Sequence, residues 1–205
     1  MKPHQWIIKT TLDYLVASLG VMLCSPFLLL IALAIKLDSR GPALFRQIRV
    51  GKNGRPFTCY KFRTMYVDAP DIRNPDGSTF NAGDDPRVTR VGRFLRKTSL
   101  DELPQLFNVL KGEMSLIGPR PDLPDQLALY NQRHRKRLLV HPGMTSWAAV
   151  NGRNALPLEL RRELDVQYVE NYSLSLDLKI LLRTIPLVLL GRGVYTSPKE
   201  YKISG

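Results

Sequence analysis

Side chains that ligate metals or cross-link chains are scarce in these 205 residues: there are two cysteines and three histidines. Cys24 lies in an apolar run and Cys59 in an expected strand. That pattern gives no disulfide framework and no zinc site, and makes a reducing, cytosolic setting the default. His4, His134 and His141 have no metal-ligand spacing, which excludes a histidine-rich metallohydrolase. Acidic residues are also few, 18 Asp+Glu against 30 Lys+Arg, for a formal net charge of +12. Such a balance implies an anionic partner: nucleic acid, acidic lipid or a phosphorylated substrate. No RNA-binding signature accompanies the basic residues, so nucleic acid is set aside. No Walker spacing surrounds Gly51-Lys-Asn-Gly54, and no EF-hand spacing orders the aspartates of residues 66–86. Internal repeats and low-complexity tracts are absent, and the length fits one domain, or one domain with an appendage, able to bury a core.

One long apolar run is present. Residues 14–35 carry no charge, and as a helix they measure about 33 Å, enough to cross a hydrocarbon core of about 30 Å. No small-residue cleavage site follows, which argues against a cleaved signal peptide. Pro26 falls mid-run and frees a carbonyl that Ser25 is placed to satisfy, so a bend is expected there. Lys2 and Lys9 precede the run, and Lys36, Arg40, Arg46 and Arg49 follow it. Basic flanks on both sides suit a re-entrant helix, while a kinked span fits the same residues.

Beyond the run, residues 43–64 read as a β-hairpin turning at Asn53-Gly54, with Lys61 and Arg63 projecting from its second strand. Residues 66–86, rich in Asp, Asn, Pro and Gly, read as a solvated, mobile loop. Arg87, Arg90, Arg93 and Arg96 recur at every third position and make a basic helical stripe, from which Arg96 emerges as the best phosphate ligand. A helical stretch is expected from Asp122 to Leu139, ending in Arg133-His-Arg-Lys-Arg137, a cluster suited to anionic lipid. Residues 141–153 read as a turn, a short strand and a polar loop in which Asn151 and Arg153 meet a nucleotide or close a turn. Residues 157–172 form a charged amphipathic helix with Leu160, Leu164 and Tyr168 on one side. Residues 175–190 are strongly apolar with Lys179, Arg183 and Pro186. They fit a helix lying in the headgroup plane, with a buried core helix as the alternative.

The chain centres on residues 96–121. Leu103, Leu106, Phe107 and Leu110 are spaced for an amphipathic helix, which Lys111 and Gly112 end. The adjacent acids Asp101 and Glu102 stand at its start, with Arg96 before them and the rigid Pro119-Arg120-Pro121 turn after it. Acids at a helix start between arginines suit phosphate or metal-phosphate chemistry. Ser99-Leu-Asp-Glu102 equally spells a capping box, in which Glu102 only reaches back to Ser99. Pro104 tells against that box unless it opens the helix itself, which leaves the pair just outside. A carboxylate can attack phosphorus as a covalent nucleophile.

The run Asp101-Glu-Leu-Pro-Gln-Leu-Phe-Asn-Val-Leu-Lys-Gly112-Glu-Met-Ser-Leu-Ile-Gly-Pro119-Arg120-Pro121 resembles the bacterial sugar transferase family. Lys61-Phe-Arg63-Thr-Met65 upstream, and His141-Pro-Gly-Met-Thr-Ser-Trp147 with Asn151-Gly-Arg153 downstream, extend the likeness over nearly the whole chain. These are the monotopic phosphoglycosyl transferases that start undecaprenyl-diphosphate-linked glycan assembly. The resemblance implies an α+β, helix-rich fold: a re-entrant membrane helix in residues 1–40, broken at Ser25-Pro26, and a cytosolic catalytic domain in 41–205 with a small β-hairpin and interfacial helices. It implies transfer of a sugar 1-phosphate from a UDP-sugar to undecaprenyl phosphate through a phosphosugar on Asp101, releasing UMP. Glu102 then organises Mg²⁺ with Asp101 or handles protons. Arg96 and Arg120 hold phosphates, with Lys61, Pro119, Asn151 and Arg153 also lining the substrate site.

The implied setting is the bacterial inner (cytoplasmic) membrane with its lipids, the catalytic domain facing the cytoplasm, and downstream glycosyltransferases as possible partners. Larger members carry extra N-terminal helices and a further domain, so this sequence is expected to be a minimal catalytic form. Ala149 stands where many relatives have Gln, a departure within the 147–153 loop. The alternatives are an isoprenyl-phosphate phosphatase and a non-enzymatic basic membrane-binding module.

Overall fold

Residues 3–75, 77, 79–191 and 193–195 are described by the structure, a computed structural model. The apolar run belongs to one helix, α1 (Pro3–Asp38), of 36 residues and about 54 Å. Among the described residues it is the one helix long and apolar enough to cross a membrane. Most of its side chains, including Leu15, Met22, Phe27, Leu29 and Leu37, stay exposed. Positions 13, 17, 20, 24, 28, 31 and 35, none of them exposed, lie three or four residues apart, so one stripe of α1 faces the rest of the protein. Pro26 has no N–H for the Met22 carbonyl four residues back, and the Ser25 hydroxyl donates to that carbonyl at 2.9 Å instead. This is the substitution expected from the sequence. It keeps α1 helical through Ser25-Pro26, so the expected break does not interrupt the secondary structure.

The hairpin forms as expected. Strands β1 (Leu44–Val50) and β2 (Pro56–Phe62) pair antiparallel, with Leu44 opposite Phe62 and Val50 opposite Pro56. Asn53 (φ 58°) and Gly54 (φ 75°) supply the left-handed turn. Arg63 does not project from β2. It is buried and donates to the Ser39 hydroxyl (2.7 Å) and carbonyl (2.9 Å) and to the Pro42 carbonyl (2.6 Å), tying the end of α1 to the hairpin.

Helix α2 (Arg90–Thr98) starts at Thr89, whose hydroxyl accepts from Gly92 N. A Cβ at Gly92 would lie 2.0 Å from the Thr64 carbonyl oxygen, so only glycine allows α2 to lie this close. Arg87 stands ahead of α2, buried against Asp85 at 2.7 Å, and so leaves the basic stripe while Asp85 leaves the solvated loop. A 3₁₀ turn (Leu100–Glu102) links α2 to α3 (Gln105–Leu110), and Gly112 (φ 72°) follows α3 as expected. The buried face of α3 carries Leu106, Asn108 and Val109, and Phe107 is exposed. Strand β3 (Ser115–Ile117) then pairs parallel with β4 (Gly143–Thr145).

No α-helix runs from 122 to 139. Two 3₁₀ turns, Pro124–Leu129 and His134–Leu139, are separated by extended Tyr130. Long-range ion pairs outweigh helical spacing here: Arg137 turns inward to Asp122 and Asp165, while Arg133 and Lys136 hold Glu163 and Glu170. Arg133, Lys136 and Arg137 thus pair with carboxylates of their own chain, and Arg137 leaves the surface altogether. Helices α4 (Trp147–Val150), α5 (Leu158–Glu170) and α6 (Leu174–Leu190) complete the fold. In α5 Tyr168 is buried as expected, but Leu160 is exposed, and Leu158, Arg162, Asp165 and Val166 complete the inner face. In α6 only Asp177 and Ile180 are buried, and Leu178, Leu182, Ile185 and Leu189 are exposed, so it is not a core helix.

Three apolar clusters form the core. Ala17 of α1 joins Phe57, Cys59, Leu106, Val109 and Met114; Ile35 of α1 joins Phe62 and Leu95; Ile117 joins Tyr168 and Ile180. Val21 and Leu103 pack on the first cluster, and Leu28 and Leu100 on the second. The acidic pair is therefore bracketed by two leucines in different clusters, each containing a segment of α1 on one side of Ser25-Pro26.

Candidate active site

Ser99 adopts a left-handed conformation (φ 58°) that stops α2 and starts the turn carrying Asp101 and Glu102. The capping box does not form: the Ser99 hydroxyl caps nothing and accepts from Arg153 Nη2 at 3.0 Å. Pro104 occupies the position before α3, so the acidic pair lies just outside that helix. Glu102 reaches across the fold instead. Its Oε1 accepts from Lys61 Nζ and from Arg120 Nη2, each at 2.7 Å.

Burial works against the charge of Glu102, but Arg120 and Lys61 outweigh it and hold the carboxyl well below the usual carboxylate range. Asp101 behaves oppositely. Burial first, then the charge of Glu102, push its carboxyl up from 3.8 to about 6, against the pull of Lys61, Arg96 and Arg120. Adjacent acids in one turn thus differ in role: one is locked as an anion between two cations, and the other is a partly buried carboxyl poised to ionise near neutrality.

Arg96 donates through Nε to the Thr64 hydroxyl (2.9 Å) and through Nη1 to Asn81 Oδ1 (3.4 Å). Burial lowers its pKa and Asp101 counteracts this, which puts the guanidinium in electrostatic range of the pair. Arg153 is lowered by burial and then by Arg120. The Pro119 carbonyl accepts from Gly143 N at 2.9 Å and fixes the turn that carries Arg120. Asn151 Nδ2 donates to the Trp147 carbonyl at 2.7 Å, closing its own helical turn. Ser25 and Pro26 lie on α1. Lys61, Glu102 and Arg120 therefore meet directly, Asp101, Arg96 and Arg153 surround them electrostatically, and Asn151 makes a local contact. Four cations face two carboxylates, an excess that suits a diphosphate. Among the described residues no group of three or more His, Cys, Asp or Glu forms a metal cage. Asp101 and Glu102 are donors of the type that Mg²⁺ takes, one or two carboxylates together with substrate phosphates.

The sequence model of the family described as bacterial sugar transferase matches residues 4–191. The chain belongs to the bacterial sugar transferase family. It is 47% identical over 189 residues to "Uncharacterized sugar transferase EpsL" of Bacillus subtilis, covering 92% of this chain and 90% of that protein. It is also 47% identical to the "UDP-glucose:undecaprenyl-phosphate glucose-1-phosphate transferase" of Caulobacter vibrioides, over 91% of this chain and 72% of the relative. The "Undecaprenyl-phosphate galactose phosphotransferase" of Salmonella typhimurium is 40% identical over 92% of this chain, which spans only 42% of that longer protein.

This sugar transferase places further residues around the pair that the sequence reading passed over. Arg49 Nη1 donates to the Pro121 carbonyl at 3.1 Å, and burial and then Arg120 lower its pKa. A signal for it existed: Asn53-Gly54 fixes the hairpin register, and Arg49 opposite Phe57 shares a face with Lys61 opposite Phe45. For Arg137 and Asp165, which hold the Arg120 backbone, no local pattern pointed to the site.

Proposed function

We propose that this sugar transferase moves a sugar 1-phosphate from a UDP-sugar to undecaprenyl phosphate. The observation that carries the reading is the division of labour between Asp101, raised to about 6, and Glu102, held ionised by Lys61 and Arg120. An Asp101 carboxylate oxygen attacks the sugar-bearing β-phosphorus, and the bond from that phosphorus to the bridging oxygen breaks. UMP leaves and the phosphosugar remains on Asp101. The phosphate oxygen of undecaprenyl phosphate then attacks the same phosphorus, releases the carboxylate and forms the lipid-diphosphate sugar. Arg120, Arg96, Arg153 and Lys61 hold and neutralise the phosphates, the main task in phosphoryl transfer. Asp101 and Glu102, with the substrate diphosphate, would hold Mg²⁺, which supplies further charge neutralisation when bound. The lipid product would be the substrate of glycosyltransferases that extend it.

The membrane part of the reading is monotopic. Lys9 Nζ pairs with Asp177 Oδ2 at 2.9 Å, and Asp38 Oδ2 accepts from Val91 N at 3.0 Å. About 43 Å of helix separates these residues, yet both dock on the same folded body. That supports a re-entrant α1 with both ends on the cytoplasmic face of the inner membrane, over one with an end on each side. The exposed leucines of α6 support an interfacial helix in the same leaflet.

UMP release from a panel of UDP-sugars, with Mg²⁺ and undecaprenyl phosphate, tests the reaction. UMP with at least one sugar, its loss in Asp101→Asn, and a radiolabelled phosphosugar trapped on the wild-type protein alone are expected. Inorganic phosphate in place of UMP, or full activity in Asp101→Asn, overturns the reading.

A further inference from the structure

Arg120 presents its guanidinium to Glu102 on a side chain that is nearly half exposed, so its accuracy depends on how firmly its backbone is held. The Pro119-Arg120-Pro121 turn has one backbone N–H and three carbonyls, and each has a partner. Arg120 N donates to Asp165 Oδ2 at 3.2 Å, and Gly143 N donates to the Pro119 carbonyl at 2.9 Å. Arg137 Nη2 donates to the Arg120 carbonyl at 2.8 Å, and Arg49 Nη1 to the Pro121 carbonyl.

Arg137 is the centre of this arrangement. Only 5% exposed, it also donates to Asp165 Oδ2 (3.0 Å) and Asp122 Oδ2 (2.7 Å), and its guanidinium lies 5.3 Å from the Tyr130 ring centre. The Tyr130 hydroxyl bonds both Arg137 and Asp122, and Arg162 lies 3.5 Å from Asp122. Arg137 and Asp165 therefore grip the carbonyl and the N–H of the same residue, Arg120, while gripping each other. A cation serving only as a stabilising ion pair has no need to end on that carbonyl.

We propose that Arg137, with Asp165, is a positioning residue for the reaction: it fixes the Arg120 backbone so that the Arg120 guanidinium reaches Glu102 and the substrate phosphate. Lysine cannot replace it, because one ammonium on a flexible stem does not reproduce a planar fork that spans two carboxylates and a carbonyl. Arg49 acts on the same turn from the hairpin side.

The inference rests on the transferase reading for its assay, and a double-mutant cycle keeps the two apart. UMP-release kinetics are measured for wild type, Arg120→Gln, Arg137→Lys and the double variant, with thermal unfolding followed in parallel. Misplacement by about 1 Å can cost on the order of 100-fold, so Arg137→Lys is expected to lose roughly 10- to 100-fold in kcat/KM, in the same kinetic parameter that Arg120→Gln affects. In the Arg120→Gln background it should cost less than threefold, since the group it positions is gone. Losses that multiply in the double variant, or full activity in Arg137→Lys, overturn the inference. If Arg137→Lys does not fold, the same cycle with the isosteric Asp165→Asn, at the other residue that grips the Arg120 backbone, decides it by the same criteria. A wild-type protein that releases no UMP overturns the transferase reading instead.

Discussion

Lys61 and Glu102 are 41 residues apart in the chain and 2.7 Å apart in space, on a hairpin and on the turn between two helices. Arg120 completes the contact from a third element at the same distance. Glu102 is thus the anion that holds two phosphate-seeking cations together before any substrate arrives. Replacing it with glutamine leaves Lys61 and Arg120 facing each other without their counter-charge. Glu102→Gln is expected to destabilise the fold by about 1–3 kcal/mol, since its carboxylate is only 15% exposed. Denaturant unfolding in detergent checks this. An unchanged midpoint would mean that the three-way contact contributes nothing to the folded state.

Asp101 sets the acid side of the pH profile. Its carboxyl, raised from 3.8 to about 6 by burial and by Glu102, must lose its proton to act as a nucleophile. The rate of UMP formation should therefore be level above that pH and fall about tenfold per unit below it. Glu102, held well below the usual range, adds no second limb in this window. Lys61→Met removes a cation that favours the Asp101 anion, so the limb moves to higher pH. Glu102→Gln removes an anion that opposes it, so the limb moves to lower pH. A wild-type limb near pH 4, or one that neither substitution moves, contradicts this account of Asp101.

Asn108 joins the helix after the acidic pair to the strand that carries Lys61. Fully buried on α3, it accepts from Tyr60 N at 3.0 Å and donates to the Thr58 carbonyl and to Glu113 Oε2, each at 2.7 Å. Leucine has nearly the same shape and none of these bonds, so Asn108→Leu strands an N–H and a carbonyl of β2 inside the core. Each buried unsatisfied group costs about 1–3 kcal/mol, so a loss of about 3 kcal/mol is expected. UMP formation should fall with it, because Lys61 is the next residue along β2. A variant as stable as the wild type would show that water replaces the amide.

The reach of the sequence follows from the range of the forces involved. The hairpin was legible because Asn53 and Gly54 adopt the left-handed turn through their own backbone preferences. The exchange of Pro26's missing bond for the Ser25 hydroxyl was legible because all its atoms lie within one helical turn. The 122–139 segment was misread because its conformation depends on Asp165, which lies 28 residues beyond Arg137 and has no local trace. The pairing of Arg133 and Lys136 with Glu163 and Glu170 was hidden for the same reason. A run of cations reads as a surface feature until the carboxylates of α5 are brought beside it. In the site itself, the residue types and their order along the chain were readable, but which acid is locked and which is poised depends on Lys61 and Arg120 arriving from elsewhere.

The docking of both ends of α1 on one body gives a prediction about the membrane. Lys9 is tied to Asp177 and Asp38 to the start of α2, and the helix between them packs on two core clusters along one stripe. A helix with one end across the bilayer would have to give up either the Lys9 contact or the Asp38 contact. Cysteine reporters decide between these arrangements, with Cys24→Ser and Cys59→Ala removing the native thiols. His4→Cys and Arg40→Cys, at exposed positions on either side of the apolar run, should both react with a membrane-impermeant maleimide in inside-out vesicles, and neither in intact spheroplasts. Labelling of His4→Cys from outside the cell would mean that α1 spans the membrane and that the Lys9–Asp177 pair does not form there. The apolar stripe packed against Leu103 and Leu106 would then have to come from the second half of the helix alone.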